Sequence, residues 1–270
     1  MDKKVAFIGA GNMAEAMVKG LVTSGLVPKE AVTVSDASAH RLLHMKKTYG
    51  VGALTDNAKA ARGKDVVVLA VKPKDMAHVL KEIAPSVTAK QLVISIAAGV
   101  TTARIGELLG KKARVVRVMP NTPALVQEGA AALFAGPGAK EGDTELAVLL
   151  LSAICKVVVT AADEKLMDAV TGLSGSGPAY MFVMLEALSD AGVRMGLPRE
   201  DAFMLAAQTM IGSAKMALTT REPLSKLKDM VTSPGGTTIA GLHKLEDGGV
   251  RAALYAAVEA ATKRSQELGK

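Results

Sequence analysis

The chain has 270 residues, which is enough for one large domain or two of ordinary size. Its net charge of +7 is spread along the chain without a basic cluster interleaved with aromatic residues, and this argues against nucleic-acid binding. The single Cys155 excludes an intrachain disulfide and a cysteine-cluster metal site, and we expect no metal.

The sequence shows no sign of a membrane segment or a signal peptide. No apolar run reaches the roughly 20 residues that span a bilayer. The segment Met1–Val5 leads directly into a strand pattern and lacks the apolar core of a signal peptide. We therefore expect a cytoplasmic protein without a membrane segment.

Short β-rich runs alternate with helical segments over residues 1–162, which is the pattern of a parallel sheet with helices on both faces. Runs such as Asp65–Val71 are continuously apolar, as expected for a strand that is covered on both sides. The strand candidates are Val5–Ile8, Val32–Ser35, Gly52–Leu54, Val66–Val71, Leu92–Ile96, Arg114–Val118, Ala131–Phe134 and Lys156–Val159.

The glycine-rich turn after the first strand candidate carries the clearest functional signal. It reads Gly9-Ala10-Gly11-Asn12-Met13-Ala14 and opens a helix, so it matches the G-x-G-x-x-G/A fingerprint in its required context. The first glycine permits the tight turn, the second lets the backbone approach a pyrophosphate, and the final alanine keeps helix and strand close. The helix N-terminus supplies N–H groups to the anion. We therefore predict that Gly9–Met13 bind a dinucleotide.

The end of the second strand candidate carries conflicting signals about which dinucleotide that is. An acid such as Asp36 bonds the ribose hydroxyls of NAD(H) and repels the 2′-phosphate of NADP(H). Ser35 and Ser38, with Arg41 one turn further on, suit that phosphate instead. The residues alone leave the choice open.

Ligands bind beyond the carboxyl ends of the strands in such a sheet, so the segments after the later strands are further candidates. Lys72, which follows the strand candidate Val66–Val71, fits two interpretations equally well: a phosphate or sugar contact, or a solvated turn residue. Asn121 lies between two prolines and is interpreted as a nicotinamide or substrate contact, or as an Asx-turn that caps the loop. The segments are Ala70-Val71-Lys72-Pro73, Ala97-Ala98-Gly99-Val100 and Met119-Pro120-Asn121-Thr122-Pro123.

From Asp163 onward strand patterns stop and long helices follow, so we place a second, helical domain at residues 163–270. Tyr180–Val193 and Ala202–Leu218 are apolar nearly all round, and Arg251–Glu267 is a third long helix. A helix that is apolar on every side has to be buried on every side. A domain of roughly 105 residues cannot provide that burial alone, so we predict a homo-oligomer.

Two glycine-rich segments interrupt this helical half. Gly172–Ser176 comes close to the G-x-S-x-G nucleophile pattern, with Ser176 in place of its last glycine. A helical segment precedes it and no histidine–acid pair is evident, so a hydrolase is rejected. The second segment, Ser233–Ile239, places two consecutive glycines and three hydroxyl side chains at a helix start. Backbone N–H groups and the positive end of the helix dipole make it a cradle for a small carboxylate, although a plain capped helix start is the alternative.

Taken together, the motifs resemble those of the pyrroline-5-carboxylate reductase family over essentially all 270 residues. The last two of the matching segments are long and specific. The segments are Phe7–Met13, Ala70–Pro73, Met119–Pro123, Asp168–Tyr180, Gly192–Pro198 and Leu227–Thr238.

The resemblance implies an α/β fold with an N-terminal Rossmann-type dinucleotide-binding domain and a C-terminal all-helical dimerisation domain. In the family the helices interlock in a dimer, and dimers also assemble into a ring of five, a decamer. The substrate of the family lies between the nicotinamide and the Ser-Pro-Gly-Gly loop, across the dimer interface. Carried over, this assigns the substrate carboxylate and ring nitrogen to Val231, Ser233, Gly236, Thr237 and Thr238, places Glu164 near the substrate, and places Asn57, Ala70, Lys72, Ala97 and Asn121 on the cofactor side.

The implied reaction is hydride transfer to the C5 imine carbon of 1-pyrroline-5-carboxylate, which gives L-proline. A protonated imine is already electrophilic, so the protein needs little acid–base chemistry and acts mainly by positioning. Thr238 is then the catalytic candidate, through a hydrogen bond to the ring nitrogen. Most members use NADPH, which puts NADP(H) ahead of NAD(H), but Asp36 departs from the Ser or Asn/Arg pattern of that choice.

Two other functions fit parts of the sequence. A 3-hydroxy-acid dehydrogenase of similar layout needs a general base, usually a lysine, and Gly172–Tyr180 contains none. A non-catalytic dinucleotide sensor would bind the cofactor without oxidising it when 1-pyrroline-5-carboxylate is added.

Overall fold

The computed structural model describes residues 1–110 and 113–269, and it divides into two compact units. The first unit contains Met1–Ser176 and the end of the last helix from Glu259, and the second contains Gly177–Val258. The sequence-based division between residues 162 and 163 stays a prediction. No helix within the described ranges is long and apolar enough to cross a membrane.

Eight strands of the described residues form one sheet in the first unit, in the order β3-β2-β1-β4-β5-β6-β7-β8. Each buried strand lies where an apolar run predicted it, and the ends differ by a few residues at most. The strands are β1 (Val5–Ile8), β2 (Val32–Ser35), β3 (Gly52–Leu54), β4 (Val66–Leu69), β5 (Leu92–Ser95), β6 (Arg114–Pro120), β7 (Gly129–Ala135) and β8 (Cys155–Thr160).

The predicted parallel sheet contains one antiparallel junction. Strands β6 and β7 pair antiparallel, whereas β7 and β8 are parallel again. Only a 3₁₀ segment, Thr122–Val126, lies between Pro120 and Gly129. A parallel connection needs a dozen or more residues, so this short link forces the chain to turn back.

The helices begin and end where the local sequence provides stop signals. Ser38 caps the helix that follows β2, because its hydroxyl accepts the Arg41 N–H, and Gly50 ends that helix in the left-handed region. The helices of the first unit are α1 (Asn12–Thr23), α2 (Ala39–Tyr49), α3 (Asn57–Ala61), α4 (Pro73–Ile83), α5 (Thr102–Leu109), α6 (Asp143–Leu151) and α7 (Leu166–Val170). Those that follow are α8 (Gly177–Arg194), α9 (Arg199–Thr220), α10 (Leu224–Asp229), α11 (Thr237–Asp247) and α12 (Val250–Leu268).

The core of the first unit consists of two apolar clusters, one on each face of the sheet. Successive side chains of a strand point to opposite faces, so Val5 and Phe7 of β1 belong to one cluster and Ala6 and Ile8 to the other. All four are fully buried. This two-sided burial is why the strands read as continuous apolar runs, and it holds their carboxyl ends at one edge.

The second unit has large apolar side chains on its surface. Within it, α8 and α9 pack closely at Gly192, where an added Cβ would lie 3.0 Å from the Cβ of Ala202. Nevertheless Phe182 and Val183 on α8 and Leu205 and Ile211 on α9 are 60–66% exposed. Exposed apolar surface of this extent marks an interaction surface.

Candidate active site

The glycine turn between β1 and α1 has the geometry that the fingerprint requires. Gly9 has a φ of +100°, and a Cβ added there would lie 2.6 Å from the Ala70 carbonyl oxygen. Only glycine adopts this conformation without strain, and only glycine allows this close approach of two backbones. The Gly9 N–H donates to the Ser35 carbonyl at 2.8 Å, so the turn is fixed against β2 as well.

The second glycine leaves space for a ligand. Gly11 is the N-cap of α1 with a φ of −70°, and no described atom would lie within 4 Å of a Cβ added to it. Within the described residues no side chain caps this N-terminus. Its first N–H groups and the open face of Gly11 therefore fit a diphosphate, which accepts hydrogen bonds and is attracted by the positive end of the helix dipole.

The end of β2 places Asp36 directly against the turn. Its carboxylate accepts hydrogen bonds from the Ala10 N–H and the Ser38 N–H, each at 2.8 Å. Both carboxylate oxygens therefore have backbone donors. The Ser35 hydroxyl, in contrast, is fully buried and donates to the Phe7 carbonyl at 3.4 Å, so Ser35 meets the turn only through its own carbonyl.

A charged cluster next to the turn was missed by sequence reasoning. We call it the Glu15 cluster: Glu15 of α1 with Arg41, His44 and Tyr49 of α2. The Glu15 carboxylate accepts hydrogen bonds from Arg41 Nη2 at 2.6 Å and the Tyr49 hydroxyl at 3.0 Å, and it lies 2.6 Å from His44 Nε2. Burial opposes ionisation of Glu15, but these hydrogen bonds outweigh it and lower its pKa to about 2.

The Glu15 cluster is tied to the glycine turn through Arg41. Its Nε donates to the Ala10 carbonyl at 2.7 Å. Ala10 therefore bonds Asp36 through its N–H and Arg41 through its carbonyl. The spacing of 26 residues between Glu15 and Arg41 carries no motif, and only the pairing of two helices on one side of the sheet reveals it.

The segments after β4 and β5 lie at the same edge of the sheet. Lys72 is exposed and is the N-cap of α4, with Pro73 as the first helical residue. Ala97 is almost fully buried, so only its backbone and methyl group are available at this edge. Asn57, at the start of α3, donates from Nδ2 to Glu82 at 2.9 Å.

Asn121 bridges parts of the protein that are far apart in sequence. Its Oδ1 accepts the Ala130 N–H at 2.9 Å, and its Nδ2 donates to the Ser174 hydroxyl at 3.3 Å. It therefore joins the end of β6 to β7 and to the glycine-rich segment before α8. This is not an Asx-turn, because the bonded residues are distant from Asn121 in sequence.

Glu164 lies in a buried polar network. Its carboxylate accepts the Thr102 N–H at 2.7 Å and the Thr102 hydroxyl at 2.8 Å, which caps the start of α5. Arg117 of β6, only 3% exposed, lies 3.4 Å from Glu164 and 3.6 Å from Asp168. Asp168 in turn accepts a hydrogen bond from Ser265 of α12 at 2.7 Å. Arg117 was not a predicted functional residue, since one arginine in a strand gives no sequence signal.

The Ser-Pro-Gly-Gly loop of the second unit forms a tight turn ahead of α11. The Gly236 N–H donates to the Ser233 carbonyl at 3.1 Å, and Gly235 has a φ of +66°, as the third residue of a type II turn does. Gly236 is the N-cap of α11 and no described side chain caps it. Thr237 and Thr238 open the helix, so hydroxyl and N–H donors stand together at its N-terminus.

Comparison with known proteins gives concordant results over the whole chain. Residues 164–268 match the family model described as pyrroline-5-carboxylate reductase dimerisation, and residues 4–99 match the model described as NADP oxidoreductase, coenzyme F420-dependent. The pyrroline-5-carboxylate reductase of Methanosarcina acetivorans is 46% identical over 269 residues, which cover 100% of this chain and 99% of the relative.

Two solved structures share the complete fold. A pyrroline-5-carboxylate reductase from Coxiella burnetii superposes with a TM-score of 0.93 at 41% identity and covers 100% of both chains. The pyrroline carboxylate reductase of Plasmodium falciparum, solved with NADP bound, has a TM-score of 0.90 at 34% identity, covering 100% of this chain and 99% of that one.

Proposed function

The chain belongs to the pyrroline-5-carboxylate reductase family, and we propose which of its residues carry out the reaction of that family. The protein is an NAD(P)H-dependent oxidoreductase of proline biosynthesis that reduces 1-pyrroline-5-carboxylate to L-proline. The observation that carries this function is the 46% identity to a reductase of this name over the whole chain.

The cofactor is NADP(H), in line with the NADP-bound relative and the matching NADP oxidoreductase model. When bound, it supplies the hydride that goes from nicotinamide C4 to the imine carbon C5 of the substrate. The close approach at Gly9 and the open face of Gly11 support the turn as the diphosphate site. The cofactor contacts that we propose are Gly9, Ala10, Gly11, Asn12, Met13, Ser35, Asp36, Asn57, Ala70, Val71, Lys72, Pro73, Ala97 and Asn121.

For the substrate we propose the loop ahead of α11. The uncapped N-terminus of that helix attracts a carboxylate, and the neighbouring hydroxyls add donors. The residues are Val231, Ser233, Gly236, Thr237 and Thr238, with Glu164 near the substrate. Thr238 bonds the ring nitrogen and thereby orients the C5=N bond. Hydride addition to C5 of the protonated imine leaves a neutral ring amine, and the Thr238 hydroxyl accepts a hydrogen bond from the ring N–H in both species.

Thr238→Ala tests this role. We expect the fold to persist and turnover to fall about tenfold or more, which corresponds to the loss of one hydrogen bond that matters in the transition state. Thr23→Ala is the matched control, because Thr23 lies on α1 with its hydroxyl bonded to the Lys19 carbonyl. Unchanged turnover in Thr238→Ala, with 1-pyrroline-5-carboxylate saturating, removes Thr238 from the reaction.

The protein acts as a homo-oligomer, as its match to a dimerisation model implies. We propose that the exposed apolar faces of α8 and α9 interlock with those of a second copy, and that five such dimers form a decamer. Light scattering coupled to size exclusion distinguishes a monomer, a dimer and a decamer. A monomer at assay concentration contradicts this proposal. The cytoplasmic location stays a prediction.

The proposed substrate site draws its loop from one copy and its cofactor turn from another. The alternative is a site built within one chain. Co-expression of a chain defective at Gly11 with a chain defective at Thr238 distinguishes these two arrangements. If the loop acts across the interface, a mixed dimer contains one site with both parts intact and regains activity. If each chain builds its site alone, every site has one defect and the mixture stays as inactive as the single variants.

A further inference from the structure

The geometry points to Arg41 as the residue that distinguishes the 2′-phosphate of NADP(H) from the 2′-hydroxyl of NAD(H), and to Glu15 as the residue that positions it. This inference rests on the proposed dinucleotide site at the glycine turn. It concerns the adenosine end of that site, where Asp36 favours NAD(H) in the sequence analysis and Arg41 favours NADP(H).

Asp36 is bound in a way that lessens its repulsion of a phosphate. Its two oxygens accept the Ala10 and Ser38 N–H groups at 2.8 Å each, so the carboxylate is directed to the backbone. Backbone donors compensate part of its negative charge. A ribose hydroxyl would have to share these oxygens, and Asp36 therefore selects NAD(H) less strongly than a carboxylate without partners would.

Arg41 lies next to the same position. Its Nε bonds the carbonyl of Ala10, the residue whose N–H bonds Asp36. Nη2 is held by Glu15, while Nη1 has no partner among residues 1–110 and 113–269. The side chain is 28% exposed. A guanidinium that is anchored on two nitrogens and has donors to spare is suited to a phosphate, because its planar fork matches two phosphate oxygens.

Glu15 acts through this anchor. Its carboxylate holds Arg41 Nη2 at 2.6 Å and is itself fixed by His44 and Tyr49. Three side chains from two helices, together with the Ala10 carbonyl of the turn, thus hold one guanidinium in place. An arginine that is fixed before the ligand arrives loses less side-chain entropy on binding, so its position contributes to affinity without any contact between Glu15 and the ligand.

The test measures binding of adenosine 2′,5′-bisphosphate and of adenosine 5′-monophosphate by calorimetry, with the full-length protein. The two probes differ in the 2′-phosphate, and we take the ratio of their affinities as the readout. Arg41→Met should lower this ratio about tenfold or more. Lys47→Met is the control, since it removes one positive charge from an exposed position of the same helix. If Arg41→Met fails to fold, Arg41→Gln tests the same point. An unchanged ratio overturns the role of Arg41.

Glu15 is tested by the same ratio. Glu15→Ala should lower it severalfold, whereas Glu15→Gln, which keeps an oxygen acceptor for Arg41, should retain it. In the Arg41→Met background, Glu15→Ala should have no further effect. Equal ratios in the Ala and Gln variants overturn the positioning role. Failure of the proposed function is a separate result: the wild type would not oxidise NADPH with 1-pyrroline-5-carboxylate, whatever the binding ratios are.

Discussion

Gly11→Ala separates the stability of the fold from binding at the glycine turn. The backbone of Gly11 has a φ of −70°, which alanine adopts freely, and the added methyl group would have no described atom within 4 Å. The free protein should therefore keep its stability or gain about 0.4–1 kcal/mol, because alanine restricts the unfolded chain. The methyl group would, however, occupy the face that we assign to the diphosphate.

Gly9→Ala and Gly25→Ala complete the set. At Gly9 the φ of +100° and the 2.6 Å approach to the Ala70 carbonyl act together, so we expect a loss of about 1–3 kcal/mol from backbone strain, and more from the clash. Gly25 has a φ of +69° and open space, so its variant carries similar strain without the clash. Only Gly11→Ala should leave the free protein intact and impair cofactor binding.

Thermal unfolding with and without NADPH measures both effects. A ligand at about 100 Kd stabilises the native state by about 2.7 kcal/mol, and tenfold weaker binding removes about 1.3 kcal/mol of that. For a chain of this size each kcal/mol corresponds to about 2–4 °C. We therefore expect Gly11→Ala to lose several degrees of the NADPH-induced shift, while its Tm without ligand is unchanged or slightly raised. A full NADPH shift in Gly11→Ala would refute the position of the diphosphate.

Three further predictions follow from the first unit. Arg117→Met should lower the free energy of unfolding by about 2–3 kcal/mol, because it leaves two largely buried carboxylates that each keep only one other donor residue among those that the structure describes. An unchanged denaturation midpoint in far-UV circular dichroism contradicts this. The folded-state pKa of Glu15, about 2, lies below the ordinary 4.5, so its stabilising effect is complete above about pH 4.5 and is lost as the pH falls towards 2. The difference in unfolding free energy between wild type and Glu15→Gln should shrink over that range, and a difference that stays constant down to pH 2 would be inconsistent with it. Burial raises the pKa of the Cys155 thiol to about 11, so a thiol reagent at neutral pH should modify it slowly in the native protein and rapidly after unfolding; equal rates in the two states would show that Cys155 is accessible.

The sequence was sufficient where the physics is local. Continuous apolar runs mark β1 and β4 because both faces of the sheet are covered. Gly9 could be assigned its role because a turn between a strand and a helix needs a positive φ there. The antiparallel pairing of β7 follows from the short link after Pro120. The composition of the β7 run did not reveal it, because an apolar run carries no information about strand direction.

Sequence reasoning failed where contacts join distant residues. The residues alone left open which dinucleotide Asp36 favours, and they did not reveal that both of its oxygens bond backbone N–H groups. The hydrogen bonds of Glu15 and Arg117 depend on which elements the fold brings together, over separations of 26 residues or more. Such side chains are indistinguishable from solvated charges until their neighbours in space are known.

The most direct test of the central claim is a kinetic assay on the wild-type protein with a product analysis. We expect the absorbance of NADPH to fall when 1-pyrroline-5-carboxylate is added, and L-proline to appear in equal amount. NADPH that binds to the protein but is not oxidised in the presence of 1-pyrroline-5-carboxylate would contradict the reductase function and would indicate a dinucleotide sensor instead.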